Sequence, residues 1–366
     1  MFLISVVGVA AVIICFIVPL NGAASRGLSG IGYIKAAKCN FILNIMGIYS
    51  TVDDIINRRR NRLKLPQKKD QVAVITGGSR GIGLEVVKKL LKCEMSVAIG
   101  CRNVLSGEEV VKKIREDGIL SGDVKVYHLD MESMTSVREF AVKVKADYPK
   151  IHVLINNAGI MFAPFKLTGG DDPLNPVMES HFSVNYAGHF LLTHLLLPNL
   201  KNAGQEDIQH ARVVNVSSIA HFAGDINFED IASEKCYMPG AAYAQSKLAQ
   251  VLFTRHLEKL FQDSDIPIHV YAVHPGVCDT DLFKGTYIKK AMPWLVHFFF
   301  KHPARGATTI MFPAVAPTAE SLGGTYLSNC EVYTPSASAR DDTKAKELFN
   351  YTCTLLGIEQ FIPQVL

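Results

Sequence analysis

A short buried-strand run, Val72 to Ile75, leads straight into Thr76-Gly77-Gly78-Ser79-Arg80-Gly81-Ile82-Gly83, and helical spacing follows over Ile82 to Leu91. A strand, a glycine turn and a helix opening at that turn limit this chain more than any other feature. Glycines let the backbone turn tightly and approach a pyrophosphate. The helix start offers it unbonded N–H groups and the positive end of a dipole. A glycine pattern alone is weak, since loops are glycine-rich anyway; the strand before and the helix after give it weight.

The alternation continues down the chain. Strand runs are expected at Val97 to Ile99, Val124 to Tyr127, Val153 to Ile155, Val213 to Val216, Ile268 to Val273 and Thr325 to Leu327. Helices are expected at Gly107 to Arg115, Ser133 to Lys145, Phe190 to Leu200 and Ala242 to Phe261. Strands separated by helices of this length build βαβ units. The expected fold class is α/β, one Rossmann-like doubly wound parallel sheet over 71–335, with a C-terminal extension over 336–366. With 48% hydrophobic and 20% charged residues, disorder is excluded over most of the chain. A net charge of +4 gives no argument for a nucleic-acid partner. The eight cysteines form no C-x-x-C pair, so no zinc or thioredoxin-like site is indicated and reduced thiols are expected.

The domain is preceded by a different kind of sequence. Phe2 to Leu20 is apolar apart from Ser5, Gly8 and Pro19, and no charge occurs before Arg26. About 20 such residues suffice to span a bilayer. A secretory signal would carry a basic start and a shorter apolar core, although Gly22-Ala23-Ala24 resembles a cleavage site. A retained N-terminal transmembrane anchor over 1–25 fits better, followed by a basic interfacial linker over 26–70. The basic residues, among them Arg58, Arg59 and Arg60, lie on the C-terminal side of the anchor. The positive-inside rule then leaves the catalytic domain in the cytosol. Phe41 to Ile48 is too short to span and reads as an interfacial or packed helix, and Arg58-Arg59-Arg60 as a headgroup contact or a solvated linker.

Within the glycine loop, Gly77, Ser79, Arg80, Gly81, Ile82 and Gly83 are candidate dinucleotide contacts. The second strand ends Gly100-Cys101-Arg102, with no acid to bond a ribose 2′-hydroxyl. Arg102 and Arg80 offer guanidinium forks to a 2′-phosphate instead, which points to NADP(H). Asp130, after the third strand, can accept from the adenine amino group. Asn157, Ala158 and Gly159 follow the fourth strand at the edge where doubly wound folds bind ligands. Pro275, Gly276 and Val277 follow the sixth, where backbone groups can bond the nicotinamide carboxamide, with Thr280 nearby.

Tyr243 and Lys247 stand at i and i+4 in Tyr243-Ala244-Gln245-Ser246-Lys247, on one helical face. A tyrosine titrates at about 10, too high for a base at neutral pH. A neighbouring ammonium is expected to lower it, so that the tyrosine passes a proton to or from a substrate oxygen. Ser218 can bond that same oxygen. Ser217 is disfavoured because consecutive strand residues face opposite ways. Asn185, at the start of a long helix, is expected to hold through its carbonyl a water relaying protons from Lys247.

In this order, T-G-x-x-x-G-I-G, N-N-A-G, S-S, Y-x-x-x-K and P-G resemble the short-chain dehydrogenase/reductase superfamily, from about Gln71 to Ser328. Leu154 to Met161, Asn185 to Thr193 and Ala242 to Ala249 look like its retinol-dehydrogenase branch. The resemblance implies a membrane-bound oxidoreductase of the dolichol pathway that takes polyprenol to polyprenal and dolichal to dolichol. It implies use of NAD(H) as well as NADP(H), and an endoplasmic reticulum membrane location. The expected partners are a small lipophilic substrate and the membrane, with a homodimer as the expected assembly. A retinol or sterol dehydrogenase is the alternative within the class; a non-catalytic nucleotide-binding scaffold is the alternative outside it. Gly169 to Val177 is longer than the link usual before this helix. Ala291 to Phe300 reads either as a lipid entrance or as a packed cover.

Overall fold

Val72–Thr76 (β1) shows why the chain folds in three layers: Val74 packs into one buried cluster, while Ala73 and Ile75 enter another on the opposite face. The same alternation recurs in β2 (Ser96–Cys101), with Ala98 on one side and Val97 and Ile99 on the other. A strand buried on both faces must be covered by helices on both. The computed structural model describes residues 27, 30–170, 174–206, 209–283 and 299–362.

β3 (Val124–His128), β4 (Val153–Asn156), β7 (Ala211–Val216), β8 (Ile268–His274) and β9 (Tyr326–Ser328) complete the parallel set. With β10 (Glu331–Val332) at one edge, the order is β10-β9-β8-β7-β4-β1-β2-β3. Two features escape the sequence pattern. β10 (Glu331–Val332) adds an antiparallel edge to β9, and β5 (Leu167–Thr168) pairs with β6 (Met178–Glu179) in a separate two-stranded hairpin. β1 sits between β2 and β4, so the chain leaves it to either side and a crevice opens at the carboxyl ends of the strands.

One face is covered by α4 (Met134–Asp147), α5 (Gly188–Glu206) and α6 (Pro239–Asp263). The other is covered by α2 (Gly81–Lys92), α3 (Val104–Glu116) and α7 (Pro303–Val315). Asn103 and Ser133 cap α3 and α4 by accepting from Ser106 and Ser136 N–H groups, satisfying donors the helix cannot. The C-terminal extension holds α8 (Asp342–Leu355), which joins the core of the first face. Phe349 and Phe361 bring their rings 5.1 and 5.0 Å from that of Phe190.

Within the stretch read as a linker, Gly30–Ile56 forms α1, a 27-residue helix laid against residues 219–223 and α6. The anchor expected over 1–25 lies outside the described residues, as do 291–298 of the apolar run. Among the described residues no helix is long and apolar enough to cross a membrane. The seven described cysteines are unpaired.

Candidate active site

The crevice at the strand ends holds a cavity of about 870 Å³. The glycine loop forms one wall because its backbone does what only glycine permits. Gly77 and Gly81 take φ of +68° and +56°. A Cβ on Gly83 would collide with the Gly77 carbonyl and lie 2.6 Å from Asn157 Nδ2. The loop is braced from β4: Asn157 Nδ2 donates to the carbonyls of Thr76 (2.9 Å) and Gly77 (3.2 Å). Thr76 Oγ1 accepts from the N–H groups of Asn157 (3.0 Å) and Ala158 (2.9 Å). Gly83→Ala is therefore expected to displace the loop, weakening dinucleotide binding about tenfold and costing ~1–3 kcal/mol of stability. Calorimetric titration and a thermal melt would measure both.

Every residue picked out for the dinucleotide reaches this cavity: Ser79, Arg80, Gly81, Ile82, Arg102, Asp130, Gly159, Pro275, Gly276, Val277 and Thr280 all line it. Arg80 and Arg102 are exposed at its mouth, neither with an ion-pair partner among the described residues. A backbone cradle closed to Cβ atoms, beside two unpaired guanidiniums, fits a phosphorylated dinucleotide. One contact differs from expectation. The Val277 N–H, read as a carboxamide donor, is taken by Asp54 Oδ2 of α1 at 3.1 Å.

At the other end of the cavity stand Ser218, Tyr243 and Lys247. The Ser218 hydroxyl stands beside the Tyr243 phenol, near enough to favour its ionised form. Ser217 turns away to donate to the Lys247 carbonyl at 2.7 Å. Burial pushes Tyr243 up to about 12, with the nearby Ser218 hydroxyl pulling the other way. This corrects the expectation that Lys247 lowers it. The ammonium donates instead to Val216 O (2.8 Å) and Gln250 Oε1 (3.2 Å), and burial draws Lys247 down to about 7. Where both groups are fully enclosed, desolvation outweighs the charge that the helical spacing places beside the ring. Lys247 Nζ lies 5.8 Å from the Tyr243 ring centroid.

Asn185 lies in a π-helical turn, Ser183–Ala187, which re-aims its amide inward. Its side chain is spent on structure: Oδ1 accepts from Ile160 N–H (2.8 Å), and Nδ2 donates to Ile160 O (3.0 Å) and Ser246 Oγ (2.9 Å). Its carbonyl accepts from Gln250 Nε2 (2.6 Å) and His189 Nδ1 (3.1 Å). Both lone pairs are thereby used, so the expected relay water has no acceptor there. Gln250 links the two residues, accepting from Lys247 with its oxygen and donating to the Asn185 carbonyl with its nitrogen.

Gln250 and His189 were not singled out by sequence. Each sits one turn past a motif residue, Lys247 and Asn185, and that spacing was the available signal. His189 also meets Thr76 Oγ1 at 2.9 Å. Since the Asn185 carbonyl only accepts, Nδ1 carries the proton and Nε2 accepts from Thr76. Burial draws this histidine down to about 3, so it stays neutral and purely connective.

The family model described as short chain dehydrogenase matches residues 71–291. A Homo sapiens protein named polyprenol dehydrogenase is 41% identical over 299 residues, covering 80% of this chain and 87% of its own. A Mus musculus protein named retinol dehydrogenase 12 is 42% identical over 290 residues, covering 79% and 87%. The crystal structure of an uncharacterized protein from Mycobacterium Paratuberculosis aligns with a TM-score of 0.62 at 29% identity, covering 80% of this chain and 96% of that one. The 3-ketoacyl-(acyl-carrier-protein) reductase from Brucella melitensis, solved with NADH, shares the fold at 23% identity and a TM-score of 0.53, covering 74% and 99%. The chain thus belongs to the short-chain dehydrogenase family and is an NAD(P)-dependent alcohol dehydrogenase or carbonyl reductase.

Proposed function

We propose that this is a membrane-bound oxidoreductase interconverting a lipophilic alcohol and its aldehyde or ketone, with polyprenol to polyprenal and dolichal to dolichol as the preferred pair. The observation that carries the reaction is that Ser218, Tyr243 and Lys247 line the same cavity as the glycine loop. A nicotinamide dinucleotide supplies or takes the hydride. Tyr243 passes the proton at the substrate oxygen, and Ser218 holds that oxygen as charge develops on it. Lys247 holds the ribose, and Asn185 keeps Lys247 in place through Gln250. Arg80 and Arg102 take a 2′-phosphate, Asp130 the adenine, and Asn157, Ala158 and Gly159 let the backbone approach.

Membrane attachment is supported by the outer face of α1. Ile34, Phe41, Ile45 and Ile56 are 70%, 67%, 46% and 63% exposed, in one stripe that ends at Arg58-Arg59-Arg60. An apolar stripe beside basic residues suits the interface of an anionic bilayer, and the apolar segment over 1–25 leads into it. A catalytic domain in the cytosol follows from the basic residues after that segment, and an endoplasmic reticulum membrane is proposed from the likeness to the polyprenol and retinol dehydrogenases. Retinol and retinal are the second reading, because the retinol dehydrogenase 12 relative is as similar as the polyprenol dehydrogenase one.

Purified protein assayed with polyprenol, dolichal and retinal, each with both cofactors, separates the readings. Turnover of retinal alone would overturn the isoprenoid assignment, and protease protection in sealed microsomes the topology. Arg102→Asp is expected to raise the KM for NADPH roughly 10–100-fold and to leave that for NADH nearly unchanged, since a bond to a charged group is worth about 1.5–3 kcal/mol. Equal effects on both cofactors would refute the 2′-phosphate role.

A further inference from the structure

The substrate end of the cavity is closed by a segment outside the matched family region. α1 presents Cys39, Leu43, Gly47, Ser50 and Asp54 at spacings of three and four, hence on a single face. Cys39 and Leu43 are each 8% exposed, in one buried cluster with Ala220, Tyr243 and Ala244. Met161 and Phe162 pack against the same cluster. Leu43 and Gly47 line the cavity itself.

This helix is seated by polar contacts that a loosely docked linker would not need. Ser50 Oγ meets His274 Nε2 at 2.7 Å, in the buried interior. His274 Nδ1 accepts from Ile219 N–H (3.3 Å), so Nε2 carries the proton and Ser50 accepts it. Asp54 Oδ1 accepts from Lys301 Nζ at 3.2 Å, with both side chains about 95% enclosed. Lys301 also bonds Asn329 Oδ1 (2.7 Å), whose amide donates to Asp53 (2.8 Å). Removing one partner of such a pair would strand a buried charge, so the pair fixes where α1 sits against the cleft.

Resting on the lipid-alcohol reading above, we infer that α1 is the specificity wall of the active site, with Leu43 and Gly47 setting the width of the substrate channel beside Tyr243. A side chain at 47 narrows the channel, and a truncated one at 43 widens it. Shape changes of this size in an apolar pocket alter discrimination by roughly 10–200-fold.

The test is a series of isoprenoid alcohols running from short to long chains, assayed in detergent with one cofactor. For Gly47→Leu, kcat/KM for long alcohols divided by that for the shortest is expected to fall at least tenfold. For Leu43→Ala, bulky ring-bearing alcohols should gain relative to linear ones. Dinucleotide affinity, read by calorimetry, should stay within twofold of wild type in both. If Gly47→Leu fails to fold, Leu43→Ala carries the test alone. Unchanged selectivity in a folded Leu43→Ala protein overturns the wall assignment while leaving the enzymatic reading intact. A wild-type chain that turns over no member of the series overturns both.

Discussion

Tyr243→Phe is expected to lower kcat by about 10³-fold or more while leaving dinucleotide affinity and folding nearly unchanged. The tyrosine is buried, 6% exposed at the cavity wall, and its ring packs edge-on to Phe162 with centroids 5.7 Å apart. Phenylalanine keeps that packing and removes one oxygen. The neighbouring Ser218 Oγ keeps its bond from the Ala220 N–H (3.2 Å), so stability should move by less than about 1 kcal/mol. What disappears is the group that exchanges a proton with the substrate oxygen. With its titration raised to about 12, Tyr243 holds its proton across neutral pH. It is therefore prepared to donate during carbonyl reduction, and alcohol oxidation, which needs the phenolate, should accelerate with rising pH over the alkaline range. Steady-state kinetics in both directions, beside calorimetry for the dinucleotide, check this. A variant that binds dinucleotide and retains a tenth of wild-type turnover would remove Tyr243 from the chemistry.

The sheet and the glycine loop could be read from sequence because their causes are local. Strands enclosed on both faces are continuous apolar runs, and helices between them carry a visible period. Helix ends were less legible: Asn103 caps a helix that starts at Val104, three residues before the expected Gly107. Site contacts that depend on chains far apart were not legible. Asp54 meets Val277 across 223 positions, and Ser50 meets His274 across 224. Nothing in residues 30–56 announces that one helical face will turn toward a cleft built elsewhere. The Tyr243–Lys247 spacing was visible, yet its electrostatic consequence was not. Spacing says which side chains are neighbours, while enclosure by Phe162, Val216 and Gln250 decides what charge costs there.

That cost underlies the second large effect, at Lys247. Lys247→Met should reduce kcat by at least about 10²-fold, since the ammonium that holds the ribose is gone, and yet should raise thermal stability near neutral pH. A lysine drawn from 10.5 down to about 7 by burial carries a folding penalty of about 5 kcal/mol, at about 1.4 kcal/mol per pH unit. Methionine removes the penalty and keeps most of the volume. Against that gain, Val216 O and Gln250 Oε1 each lose a donor, costing ~1–3 kcal/mol apiece. A net gain of ~1 kcal/mol, or about 2–4 °C in Tm, is the expected balance. The sign of the pH dependence follows from proton counting. Between about pH 7 and 10.5 the unfolded wild-type chain keeps this proton and the folded chain has released it, so wild-type stability rises with pH in that window. The methionine variant lacks that slope. Its advantage should be full below pH 7 and should shrink steadily toward pH 10. Melting curves of both proteins at half-unit pH steps would show it, and a constant difference across the range would mean that Lys247 folds into its site already charged.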